Sequence, residues 1–176
     1  IRPAGQPIAG GANGMSDGIM AFAPIYDRTI NGISQGSTRR GAASLNLDIE
    51  HGDFDDFIRM RRPEGDVNRQ CLNLHHCVQI SDAFMEKVVA GDVEARRRWT
   101  KLMVARIATG EPYIMFTDRV AEHNPQGYKN HNLSVTQTNI CSEITLHSDS
   151  RHSFICCLSS LNLVRFEDWE NSDLVE

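Results

Sequence analysis

Thr138-Asn139-Ile140-Cys141-Ser142-Glu143-Ile144 is the stretch on which the reading of this chain turns. Asn139, Cys141 and Glu143 occupy alternate positions, so an extended backbone would project an amide, a thiol and a carboxylate from one face. That trio suits a small hydroxylated molecule. A carboxylate serves as a general base to a hydroxyl, and an amide both donates to and accepts from hydroxyls. A thiol works as a thiolate nucleophile or, once oxidised, as a hydrogen-atom acceptor. No basic residue stands close to Cys141 in the sequence, which leaves thiolate chemistry without local support. On spacing alone, the plainer alternative is a half-buried strand whose polar side meets solvent.

Upstream of this stretch, hydrophobic periodicity alternates between the two regular types. Residues 1–20 are Gly-rich and read as loop, 21–33 as a helix, and 35–41 as a second Gly-rich, basic turn. Residues 43–49 alternate as a strand, and Asp53 is placed to cap a helix running to about Arg61. Pro63-Glu64-Gly65-Asp66 is a turn, and residues 71–80 read as a strand. Ser81 opens a helix through Val89 that Gly91 ends. Asp92 caps a longer helix with Ala95, Trp99, Leu102, Met103 and Ile107 assigned to one face, closed by Gly110. Tyr113–Phe116 is a short buried run, 122–138 is polar loop, and Ser153 to Leu163 reads as a strand. Strands alternating with helices predict an α/β arrangement with parallel strands.

The chain has 176 residues, 40% hydrophobic and 23% charged, which suits one globular unit with a real core. A net charge of −5 argues against nucleic acid or an anionic membrane as partner, and no apolar run is long enough to span a bilayer. Five cysteines at uneven spacing, with no secretion signal, point to a reducing cytoplasm. Cys71-Leu72-Asn73-Leu74-His75-His76-Cys77 suggests zinc at first sight. Four ligands so close along one strand cannot enclose a tetrahedral ion, so no metal site is assigned. Arg96-Arg97-Arg98 reads as the solvated face of a helix, and Asp53, Asp55 and Asp56 as helix-start electrostatics.

Asn-Xaa-Cys-Xaa-Glu-Ile resembles the finger-loop signature of ribonucleotide reductase large subunits, and the resemblance covers nearly the whole chain in order. Arg2 to Gly11 resembles the Gly-rich segment before the first specificity loop. Ser34 to Ala43 resembles the second specificity loop and the strand after it, and His51 to Arg62 the segment that follows. Thr109-Gly110-Glu111-Pro112-Tyr113-Ile114-Met115-Phe116 resembles the approach to the finger loop, and Cys156 to Leu163 the cysteine strand beyond it. Ile140 and Ser142 favour class I, whereas the short stretch between Gly91 and Trp99 resembles more compact relatives.

The resemblance implies a ten-stranded α/β barrel with the finger loop threaded through its centre. Residues 1–43 would be the specificity-loop region, 44–121 barrel strands and helices, and 122–176 the finger loop and cysteine strand. Cys141 would be the thiyl radical that takes the ribose 3′ hydrogen, and Glu143 the base on the 3′ hydroxyl. Asn139 would hold the hydroxyls, and Cys156 would be one of two thiols that end as a disulfide. Arg2 would contact effector phosphate, with Gln35 and Arg39 reporting the effector to the substrate. The substrate would be a ribonucleoside diphosphate, with dNTP or ATP as effectors. No cofactor would bind directly; the radical would come from a metal-containing small subunit. Thioredoxin or glutaredoxin would re-reduce the thiols, and the large subunit would form a homodimer.

The ends, Ile1-Arg2-Pro3 and Leu174-Val175-Glu176, read as cuts in a longer chain. The partner of Cys156 and the radical-relay tyrosines are expected outside residues 1–176, so this piece alone is expected not to turn over. Two rivals remain: a catalytically inert nucleotide-binding piece of a split reductase, and a thiol redox protein using Cys156 or Cys157. The latter lacks a Cys-Xaa-Xaa-Cys pair.

Overall fold

Three parallel strands build the sheet: β1 (Ala43–Asp48), β2 (Leu74–Ile80) and β3 (Tyr113–Phe116), in the order β1-β2-β3. Asn46 lies opposite Cys77, and Cys77 opposite Tyr113, which fixes the register across the sheet. The computed structural model describes residues 1–9, 14–33, 38, 40–157 and 159–172.

Helices fill the crossovers, as parallel strands require. α1 (Ala23–Gly32) precedes the sheet, and α2 (Phe54–Phe57) follows β1. α3 (Asp82–Ala90) and α4 (Val93–Thr109) join β2 to β3, and α5 (Thr117–Glu122) follows β3 directly. Capping chemistry sets the α3–α4 corner. Ser81 Oγ accepts from Phe84 N–H at 3.1 Å, and Asp92 Oδ1 accepts from Ala95 N–H at 2.8 Å. Gly91 and Gly110, at φ 94° and 77°, take the left-handed conformation that ends each helix.

The two faces of β2 do different work. Leu74, Val78 and Ile80 enter the core with Phe54, Phe57, Phe84 and Leu102. At about 25 cal/mol per Å² of apolar surface removed from water, such large side chains supply most of the stabilisation. The opposite face carries His75, Cys77 and Gln79.

Several expectations change. The helix expected from Asp53 to about Arg61 is a single turn. Asp53 stands at its N-cap without capping it: Oδ1 accepts from Ala4 N–H at 2.8 Å and Oδ2 from Ile19 N–H at 2.9 Å. The carboxylate instead ties the N-terminal loop to the core, and the left-handed Gly18 is needed because a Cβ there would strike Asp53 Oδ2. β2 starts at Leu74 rather than residue 71, because Asp27 holds Asn73 through both its backbone and side-chain N–H groups, at 2.7 and 3.0 Å. Ile107 is 87% exposed: twelve positions beyond Ala95 the helix has rotated it off the buried stripe, and Ala105 takes its place. Arg96–Arg98 are anchored rather than merely solvated. Arg98 donates to the Ile49 and His51 carbonyls, Arg97 pairs with Glu94 and Asp55, and Arg96 Nε donates to the Val88 carbonyl.

The polar 122–138 region contains a short helix, α6 (Gln126–Asn130). No strand forms among the described residues of 153–163. A ladder needs a neighbouring strand to take its N–H and C=O groups, and none of the described strands pairs with them. The last elements among the described residues are a 3₁₀ turn, Leu163–Arg165, and α7 (Phe166–Trp169). No described helix is long and apolar enough to cross a membrane.

Candidate functional site

Two polar side chains, one from β1 and one from β2, hold the stretch before Cys141. Gln79 of β2 donates to the Thr136 carbonyl at 2.5 Å. Asn46 of β1 accepts from Thr138 N–H at 3.3 Å and donates to the Thr138 carbonyl at 3.5 Å. Thr138 becomes 5% exposed and covers the Cys77 thiol. Burial raises the Cys77 pKa, and the hydrogen bond with Thr138 partly opposes the shift. Segment 136–138 therefore crosses the sheet face opposite the core.

Beyond Thr138 the backbone reverses. Ser142 N–H donates to the Asn139 carbonyl at 3.0 Å, and Ser142 has φ 73°. This is a turn, so the expected extended stretch, with side chains 139, 141 and 143 sharing one face by strand alternation, is not what forms. Asn139 and Cys141 lie within the reversal, and Glu143 directly follows it. Cys141 and Glu143 are exposed. Asn139 is half-buried, and its Oδ1 is shielded from solvent without a hydrogen-bond partner among the described residues. A buried acceptor left unpaired is costly and marks a place for a donor to arrive.

Beside the turn lies a cavity of about 380 Å³ at the C-terminal end of β3. Phe116, Arg119, His123, Thr138 and Ser142 are among its lining residues, combining an apolar wall with hydroxyl, imidazole and guanidinium groups. Its size falls in the small-molecule range, and the carboxyl ends of parallel strands are where α/β folds bind ligands.

The other expected site residues lie apart. Cys156 is an exposed free thiol outside the sheet, and none of the five cysteines is paired. Arg2 is exposed and donates to the Pro7 carbonyl at 2.7 Å within its own loop. Gln35 and Arg39 lie outside the described residues. Cys71 and Cys77 are buried free thiols and belong to no cluster of metal-ligating groups among the described residues. Asn46 and Gln79 were passed over in the sequence, although a polar residue flanked by Leu45 and Leu47, or by Val78 and Ile80, is the available signal.

The family model described as the ribonucleotide reductase barrel domain matches residues 1–93 and 89–175. A Frog virus 3 protein named as a ribonucleoside-diphosphate reductase large subunit is 37% identical over 181 residues, covering 94% of this chain and 32% of that protein. The large subunit from Invertebrate iridescent virus 3 is 28% identical, covering 90% of this chain and 36% of the relative. The chain thus spans about a third of the length of these relatives. The solved alpha subunit of the class Id ribonucleotide reductase from Actinobacillus ureae superposes with a TM-score of 0.79 at 34% identity, over 98% of this chain and 30% of that one. A parallel α/β sheet with the Asn139–Ser142 turn beside the carboxyl end of β3 agrees with these matches: the chain belongs to the ribonucleotide reductase barrel-domain family, as part of the barrel.

Proposed function

We propose that this chain is the radical-bearing part of a ribonucleotide reductase large subunit, which reduces ribonucleoside diphosphates to deoxyribonucleotides in the cytoplasm. The supporting observation is the turn at Asn139–Ser142, tethered through Thr136 and Thr138 to Gln79 and Asn46 and opening beside a ligand-sized cavity.

Cys141, as a thiyl radical, takes the hydrogen from ribose C3′ and becomes a thiol. Glu143 takes the 3′ hydroxyl proton and later returns it, while the 2′ hydroxyl, protonated by one thiol of the Cys156 pair, leaves as water and the second thiol hydrogen goes to C2′. The unpaired Asn139 Oδ1 accepts from a sugar hydroxyl. Cys156 and a second thiol outside this chain give two electrons and two hydrogens and end as a disulfide. The 3′ hydrogen then returns from Cys141, which regenerates the radical. Asn139 and Cys141 sit in the Asn139–Ser142 turn and Glu143 directly follows it, which keeps these three near one another along the chain; Cys156 lies apart. The class Id relative supports a radical delivered by a separate small subunit.

In this division, residues 1–43 sense a dNTP or ATP effector through Arg2, Gln35 and Arg39, 44–121 form barrel strands and helices, and 122–176 carry the finger loop and Cys156. Thioredoxin or glutaredoxin restores the thiols, and the subunit pairs with a second copy. The 176 residues alone do not turn over. The test is Cys141→Ser in the intact large subunit, with its small subunit supplied. Loss of deoxynucleotide formation with nucleotide binding kept is the expected result; retained turnover removes Cys141 from the radical role.

A further inference from the structure

Between the finger turn and Cys156 the chain reads His147-Ser148-Asp149-Ser150-Arg151-His152. The His147 side chain is 13% exposed, and its Nδ1 lies 2.8 Å from the Ser134 carbonyl oxygen. A carbonyl oxygen only accepts, so Nδ1 carries the hydrogen of this pair. The Ser134 N–H stands farther from the same nitrogen, at 3.2 Å. In a neutral ring the lone pair then sits on Nε2. It faces Asp149 Oδ2 at 3.2 Å.

The N–H groups of Arg151 and His152 donate to Asp149 Oδ1 at 2.7 and 2.8 Å and fix the orientation of the carboxylate. A lone pair and a carboxylate oxygen at that separation repel unless something positive lies between them. His152 brings Nδ1 to within 2.9 Å of Asp149 Oδ1. One ligand atom from each of the three residues lies within 4.8 Å of the others. Donors around one tetrahedral ion, with bonds of about 2.0–2.2 Å, stand roughly 3.3–3.5 Å apart, close to the spacing from His147 to Asp149.

We propose that His147, Asp149 and His152 form a binding site for a divalent transition metal of the zinc type. Two imidazoles and one carboxylate select such an ion over magnesium or calcium, which prefer oxygen ligands throughout. The Ser134 carbonyl is the outer partner that fixes the His147 tautomer and ring orientation. Ser134 precedes the Asn139–Ser142 turn and His147 follows it, so their hydrogen bond closes the base of the loop that bears Cys141, and the ion would hold the His147 ring that makes it. The Tyr128 hydroxyl, which accepts from His147 N–H at 3.2 Å, adds a second tie there. The site is separate from the radical chemistry and does not depend on it.

The test is a cobalt(II) titration of the intact, chelator-stripped protein near neutral pH, followed by visible d–d absorption and displacement by zinc(II). The expected result is one cobalt per chain at this site. His147→Ala weakens binding by more than the ~10–100-fold that loss of an outer partner costs. His152→Gln, at a side chain 64% exposed, weakens binding with the circular dichroism unchanged. Absence of cobalt uptake, or equal uptake by the wild type and His152→Gln, overturns the proposal.

Discussion

Asn46 brackets the backbone of Thr138 across 92 residues of sequence, accepting from its N–H and donating to its carbonyl. Both contacts are long, 3.3 and 3.5 Å, so each sits at the weak end of a net hydrogen bond. Asn46→Ala is expected to cost about 1–2 kcal/mol, because Thr138 is buried and its groups lose their partner. Amide exchange at Thr138 should accelerate while β2 stays protected. Unchanged exchange at Thr138 would show that the loop is held elsewhere. Asn46→Asp keeps the acceptor but sets a carboxylate oxygen against the Thr138 carbonyl, so it should not restore the tether.

Asp53 makes shorter bonds, to Ala4 at 2.8 Å and Ile19 at 2.9 Å, at a residue 6% exposed. Charge-assisted bonds are the stronger kind, and Asp53→Ala leaves two N–H groups without an acceptor. The expected cost is about 3–5 kcal/mol, read as a lower urea midpoint at unchanged slope. Asp53→Asn retains one carbonyl acceptor and should lose roughly half as much. Equal loss in both variants would argue that charge, not hydrogen bonding, ties down the N-terminal loop.

His76 is buried, edge-on to Phe57 at 5.4 Å. Burial, with the nearby Arg61 charge adding to it, lowers its pKa from 6.5 to about 4. The folded state therefore resists a proton that the unfolded chain takes up. Stability is undiminished above pH 6.5 and falls as pH drops from 6.5 towards 4, by about 3 kcal/mol in all. His76→Leu should flatten that limb of the urea-midpoint profile relative to wild type. Parallel profiles would count against it.

Thiol labelling should divide the cysteines. Cys141, Cys156 and Cys157 are exposed, whereas Cys71 and Cys77 are buried. Burial, aided by the Asp27 charge, pushes Cys71 up to about 11, so it stays a thiol at pH 8. In the 176-residue chain iodoacetamide should modify three cysteines rapidly and the other two only on unfolding. Fast labelling of all five would show that β2 is open.

Local chemistry in the sequence specified α3, α4 and the corner between them. Ser81, Gly91, Asp92 and Gly110 cap neighbours within a few residues, so their partners are written beside them. The parallel α/β class followed from strands alternating with helices. The motif around Cys141, with its ordered companions, was enough to indicate the family.

Only the tertiary structure decided what each polar group serves. Asp53 is an N-cap by its position, but its oxygens go to Ala4 and Ile19, which no local pattern announces. The stretch read as extended around Cys141 folds as a turn once Gln79 and Asn46 take the backbone groups before it. Residues 153–157 lack a neighbouring strand and stay irregular. Sequence by itself determined the elements whose hydrogen bonds close within one or two turns of chain. Tertiary structure decided those whose donors and acceptors meet only after distant segments pack, because a backbone group takes whichever partner folding brings to it.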